Sequence, residues 1–159
     1  MKIIVVGTGF VGLTHAATTA EYGHEVYAYD IDKARIEAYQ SGDSARINHY
    51  VNEPGLPEII NETNGRYLFF TSEIAPIIEG TDAIFLCLPT PPRVDGSSDL
   101  SYYFDALDHI AQLLAQRQDQ RRVVLINKST VPIGTGRKLE QILREHNVPN
   151  AGIASNPEF

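Results

Sequence analysis

"KIIVVGTGFVGL" (2–13) decides how this chain folds. "KIIVV" (2–6) is apolar without alternation, the pattern of a strand buried on both faces. Glycines follow at 7, 9 and 12, and from Val11 to Tyr22 the pattern turns helical, with small residues at Ala16, Ala17 and Ala20. Glycine triplets at this spacing also arise by chance, so the neighbouring segments decide what this one means.

Working outward, "GHEVYAYD" (23–30) opens with a helix-ending glycine and reads as a strand from Glu25 to Tyr29, closed by Asp30. "DKARIEAYQSG" (32–42) reads as a helix stopped at Ser-Gly. The segment 43–65 is less regular, with turn signals at Pro54-Gly55 and Asn64-Gly65 and a short helix at 56–62. "YLFFT" (67–71) predicts a third strand, and "SEIAPIIEG" (72–80) a short helix capped by Ser72. "DAIFLCLP" (82–89) predicts a fourth strand, followed by a loop at 90–98 and a helix at 99–118. A strand at 122–129, a helix at 134–146 and a strand at 151–155 complete the series. Six strands alternating with helices, several of them apolar throughout, predict an α/β fold. The expected architecture is a Rossmann-like, doubly wound, parallel six-stranded sheet with helices on both faces.

Composition narrows the function. The 159 residues are 43% hydrophobic and 21% charged, which suits one ordinary globular domain. With 13 basic against 20 acidic residues the net charge is −7, so neither a nucleic-acid nor a membrane surface is expected. A small anionic ligand remains compatible, because backbone N–H groups bind anions without lysine. Cys87 is the only cysteine, which rules out an intramolecular disulfide and a cysteine-based zinc cluster. A reducing, cytoplasmic compartment is expected. The five histidines show no metal-ligand spacing, so no metal site is predicted. Lys2, the apolar run and "HAATTA" loosely mimic a secretory signal, but the glycines interrupt the run.

In this setting the glycines read as a dinucleotide fingerprint. They close a strand and open a helix within a unit of about 30 residues. Gly7 permits the tight turn, Gly9 lets a pyrophosphate approach the backbone, and Gly12 lets the helix pack against the strand. Asp30, 18 residues beyond Gly12, can accept hydrogen bonds from an adenosine ribose and would repel a 2′-phosphate. That favours NAD over NADP, although Lys33 and Arg35 stand close enough to meet a phosphate. The other readings are a glycine turn without a nucleotide, or a site for S-adenosylmethionine, whose glycines usually cluster more tightly.

Ligands of open α/β sheets bind beyond the carboxyl ends of the strands. There the sequence places "CLPTPP" (87–92), "KSTVPIGT" (128–135) and "NPEF" (156–159). Each sets a hydroxyl or carboxylate beside a proline: Thr90, Ser129 with Thr130, and Glu158.

"GTGFVGL", Asp30, "EPGL" (53–56), "CLPTPP", "DGSSDLS" (95–101), "KSTVPIGT" and "NPEF" occur in the same order in the UDP-glucose/GDP-mannose dehydrogenase family, which the chain resembles over nearly its whole length. The wording is most similar to the UDP-glucose 6-dehydrogenase branch. The resemblance implies an oxidoreductase of nucleotide-sugar metabolism and polysaccharide biosynthesis. In that chemistry two NAD molecules oxidise a UDP-sugar C6 alcohol to a carboxylate, through a cysteine-bound thiohemiacetal and thioester. Carried over, Phe10 and Val11 would meet the pyrophosphate with Gly7, Gly9 and Gly12. Asp30 and Arg35 would lie at the adenosine ribose, and Thr90 and Thr130 at the nicotinamide end. Glu158 would assist the hydrolytic water, and Thr130 would share the catalytic site.

The resemblance also implies that the nucleophilic cysteine and most UDP-sugar contacts lie downstream of "NPEF". Residues 1–159 therefore read as an N-terminal NAD-binding domain that does not turn over alone. Full-length members are expected to be homodimers, with contacts mainly beyond Phe159. Cys87 reads as a packing residue and not the nucleophile. A non-catalytic NAD module, a decayed paralogue and a hydroxyacid-type dehydrogenase domain stay open as alternatives.

Overall fold

The computed structural model describes residues 1–119 and 121–157. Among these, six parallel strands form one sheet in the order β3-β2-β1-β4-β5-β6. The strands are β1 (Lys2–Val6), β2 (Glu25–Tyr29), β3 (Leu68–Thr71), β4 (Ala83–Leu86), β5 (Val123–Asn127) and β6 (Ala151–Ser155). The helices are α1 (Phe10–Glu21), α2 (Lys33–Gln40), α3 (Ser44–Tyr50), α4 (Leu56–Thr63), α5 (Ser101–Ala115) and α6 (Thr135–Glu145). The expected doubly wound sheet is therefore the one observed.

Its two faces follow from chain direction. Right-handed crossovers from β1 outward through β2 to β3 put their helices on one face. Crossovers running the opposite way, from β3 back to β4 and on to β6, fall on the other. The apolar run of β1 is buried accordingly. Ile3 and Val5 join the core beneath α1, α2, α3 and α4, while Ile4 and Val6 join the core beneath α5 and α6. β4 divides the same way, with Ile84 and Leu86 under α5 and Ala83 facing α1.

Two local readings change. No helix spans 72–80: only a 3-10 turn, Ala75–Ile77, forms there, and no side chain caps it. The Thr71 hydroxyl accepts the Glu73 N–H at 3.0 Å, closing a turn that competes with a helix start. Ile74, Ile77 and Ile78 still reach the core, so burial and not helical spacing explains the apolar run. In the irregular middle, α3 appears with Asp43 as its N-cap, accepting the Arg46 N–H at 2.9 Å. No described helix is long and apolar enough to cross a membrane.

Candidate functional site

At the switch point α1 leaves β1 for one face of the sheet and α5 follows β4 on the other. A cleft of about 1000 Å³ opens there. It brings together Gly7, Gly9, Phe10, Val11, Asp30, Arg35, Thr90 and Thr130, each of which the sequence had singled out. Gly12 stands behind the lining, and Glu158 lies outside the described residues.

Each glycine has a distinct geometric cause. Gly7 has φ +91°, and a Cβ there would stand 2.5 Å from the Cys87 carbonyl oxygen. A Cβ on Gly12 would lie 1.8 Å from the Gly7 carbonyl oxygen, so α1 could not sit this close to β1 with any side chain at that position. Gly9 differs, because nothing lies within 4 Å of its missing Cβ. The space faces the cleft, at the N-terminus of a 12-residue helix that no side chain caps and no acid neutralises. Exposed N–H groups and the positive end of the helix dipole suit a diphosphate there.

Asp30 lies at the other end of this wall, only 8% exposed. Its Oδ2 accepts the Thr8 N–H at 2.8 Å, the Thr8 hydroxyl at 2.9 Å and Arg35 Nη1 at 3.0 Å. Among the described residues Oδ1 accepts one bond, from the Asp32 N–H at 3.0 Å. Burial alone would raise the carboxyl pKa, but the bonds from Asp32 and Thr8 and the Arg35 charge outweigh it, and the pKa falls below the ordinary value. Arg35 also approaches Asp32 at 3.8 Å and lies over the Tyr50 ring, 5.5 Å from its centroid. Its Nε is buried and has no hydrogen-bond partner. Two acids thus flank one guanidinium at the cleft edge.

The opposite wall is neutral at its hydroxyls. Thr90 Oγ1 donates to the Thr130 carbonyl at 3.1 Å, tying the β4 loop to the β5 loop. Ser129 Oγ donates to the Leu88 carbonyl at 2.7 Å, and Asn127 Nδ2 to the Ser129 carbonyl at 2.9 Å. Buried Tyr103 completes this set by donating to Asn127 Oδ1 at 2.9 Å. Cys87 is half-buried along the cleft, and His15 packs its ring against Phe85 at 4.2 Å.

Sequence reading missed Thr8 and Tyr39, which tie the glycine bend to Asp30, and Tyr102 and Asp105 of α5, which line the cleft. No spacing rule links residues so far apart in the chain. Thr8, flanked by two of the three glycines, was the one position a closer reading could have found.

A doubly wound sheet with a glycine bend at its switch point and an acid ending the second strand defines a dinucleotide-binding domain. Comparison with known proteins makes the assignment specific. The family model described as "UDP-glucose/GDP-mannose dehydrogenase family, NAD binding domain" matches residues 1–159, and the chain belongs to that family. A UDP-glucose 6-dehydrogenase of Rhizobium meliloti is 38% identical over 163 residues, covering 100% of this chain and 35% of its own length. An uncharacterized Methanocaldococcus jannaschii protein is 37% identical, covering 100% of this chain and 16% of its own length. The chain thus spans about a third or less of these two relatives. Among solved structures, a ternary complex of GDP-mannose dehydrogenase from Pseudomonas aeruginosa superposes with a TM-score of 0.87 at 26% identity, covering 100% of this chain and 36% of that one. A UDP-glucose dehydrogenase from Pyrobaculum islandicum gives 0.86 at 31% identity, covering 99% and 36%. NAD is therefore the cofactor of this domain, and the open space at Gly9, the uncapped helix end and the acid fit it.

Proposed function

We propose that residues 1–159 form the NAD-binding portion of a nucleotide-sugar dehydrogenase that oxidises the C6 alcohol of a UDP-sugar, UDP-glucose in the first instance. The observation that carries this reading is the pairing of an open Gly9 cradle with a buried, ionised Asp30 in one cleft. Bound NAD supplies the hydride acceptor. The backbone at Gly9, Phe10 and Val11 would hold its diphosphate, backed by the close packing of Gly7 and Gly12. Asp30 Oδ1, with one acceptor position left, would take a ribose hydroxyl. Arg35 would lie beside that ribose, and Asp32 adds the negative charge that disfavours NADP.

Thr90 and Thr130 would border the nicotinamide end, and Glu158 would act with Thr130 at the reacting carbon. The remaining parts of the UDP-sugar site would come from a longer chain, as the length of the relatives suggests. A homodimer of that longer protein in the cytoplasm is part of the same reading. The lone half-buried Cys87 suits a reducing compartment.

Calorimetric titration tests the cofactor half. NAD should bind and NADP should bind more weakly, and Asp30→Ala should lose about 1.5–3 kcal/mol of NAD affinity. An unchanged titration in Asp30→Ala would remove the ribose assignment. UDP-glucose-dependent NADH formation, present in the full-length protein and absent from the 159-residue chain, tests the catalytic half.

A further inference from the structure

Thr8 is 0% exposed although it lies inside the bend that faces the cleft. Its N–H and hydroxyl both bond Asp30 Oδ2, and its carbonyl accepts the Tyr39 hydroxyl at 2.9 Å. Every polar group of Thr8 is thereby engaged behind the cleft wall. Tyr39 comes from α2, is itself 0% exposed, and is held by ring contacts with Phe70 at 5.5 Å and Tyr50 at 5.9 Å. Tyr50 in turn carries the Arg35 guanidinium that pairs with Asp30.

The loop carries Gly7 and Gly9 on either side of Thr8, so fixing Thr8 fixes the peptide planes that would face a diphosphate. The same bonds fix the rotamer of Asp30. With Oδ2 occupied three times and Oδ1 once, Oδ1 is the oxygen with an acceptor position left for a ligand.

We infer that Thr8 and Tyr39 are positioning residues for the cofactor: they lock the diphosphate loop and the ribose acid into one unit, acting on NAD only through Asp30 and the bend. The inference rests on the reading that Asp30 takes the adenosine ribose. It goes further by assigning the orientation of that acid to a threonine and a tyrosine that touch no ligand.

The test is a chemical double-mutant cycle read by calorimetry, using NAD and NAD lacking the adenosine 2′-hydroxyl. Wild type should bind the deoxy compound about tenfold more weakly, the worth of one bond to a charged acceptor. Thr8→Val keeps the shape and loses the hydroxyl donor. It should bind NAD about tenfold more weakly, and should lose little more on removal of the 2′-hydroxyl. Tyr39→Phe should show the same loss of coupling with an NAD penalty of about fivefold, and carries the cycle where Thr8→Val does not fold. Thr8→Ser, which keeps the hydroxyl, should restore wild-type behaviour.

Penalties that simply multiply would overturn the inference and leave the ribose assignment standing. So would a Thr8→Ser loss equal to that of Thr8→Val. If wild type ignores the missing hydroxyl, the ribose assignment falls, and this inference with it.

Discussion

The two walls of the cleft are each pinned by a buried tyrosine, and the groups those tyrosines pin differ in charge. On the β1–β2 side, Tyr39 holds Thr8, which holds an ionised Asp30. On the β4–β5 side, Tyr103 holds Asn127, which holds the Ser129 carbonyl, and no member of that set ionises in the ordinary pH range. Burial raises both phenol pKa values, so each tyrosine is a neutral donor. The difference teaches where pH acts. Both walls need their hydrogen bonds for shape, but the Tyr39 chain ends on a carboxylate whose charge the fold has tuned.

The comparison breaks first at the junction of the walls. Gly12→Val would drive a side chain into the Gly7 carbonyl, with Cys87 Cβ 3.1 Å away. A loss of at least about 3 kcal/mol in urea unfolding is expected, together with loss of NAD binding. Near-native stability would mean that α1 can slide off β1, and the cleft would have no fixed floor.

Next, Tyr103→Phe strands the buried Asn127 amide oxygen and should cost about 1–3 kcal/mol of stability. The neutral Tyr103–Asn127–Ser129 set predicts that this loss changes little from pH 4 to 8. A loss that varied steeply with pH would show that the set is coupled to a titrating neighbour and is not neutral in effect.

Asp30→Asn sharpens the contrast. The native pKa of Asp30 is lowered. Its contribution to stability is therefore fully present above the ordinary carboxylate value of about 4, and fades as the pH falls through the lowered native value. Wild type should be the more stable protein at pH 7, and its advantage should shrink as the urea series is carried to acid. A constant difference would mean that the Asp30 charge contributes nothing. The smallest effect belongs to Thr90→Val, which removes one exposed bond between loops and should change stability by under about 0.5 kcal/mol in thermal unfolding.

Much of the fold was legible because its signals are local. Runs such as "KIIVV" and "AGIAS" span the same residues as β1 and β6. The strands read at 82–89 and 122–129 were longer than the observed β4 and β5, because at their C-terminal ends the chain leaves the ladder to form the cleft wall. The 72–80 segment misled because its isoleucines answer to a core reached through a turn. α3 was overlooked because its signal is one capping aspartate in a polar stretch.

By itself the sequence determined the strand, the glycine bend, the helix and the acid, since periodicity and backbone freedom are properties of neighbours along the chain. Only the tertiary structure decided which groups share the acid. Thr8 meets Asp30 across 22 residues and Tyr39 meets Thr8 across 31, and no local pattern encodes such meetings. They exist because right-handed crossovers put α1 and α2 on the same face of the sheet, α2 packed against β3, so that a buried Tyr39 hydroxyl reaches a buried Thr8 carbonyl and the two satisfy one another.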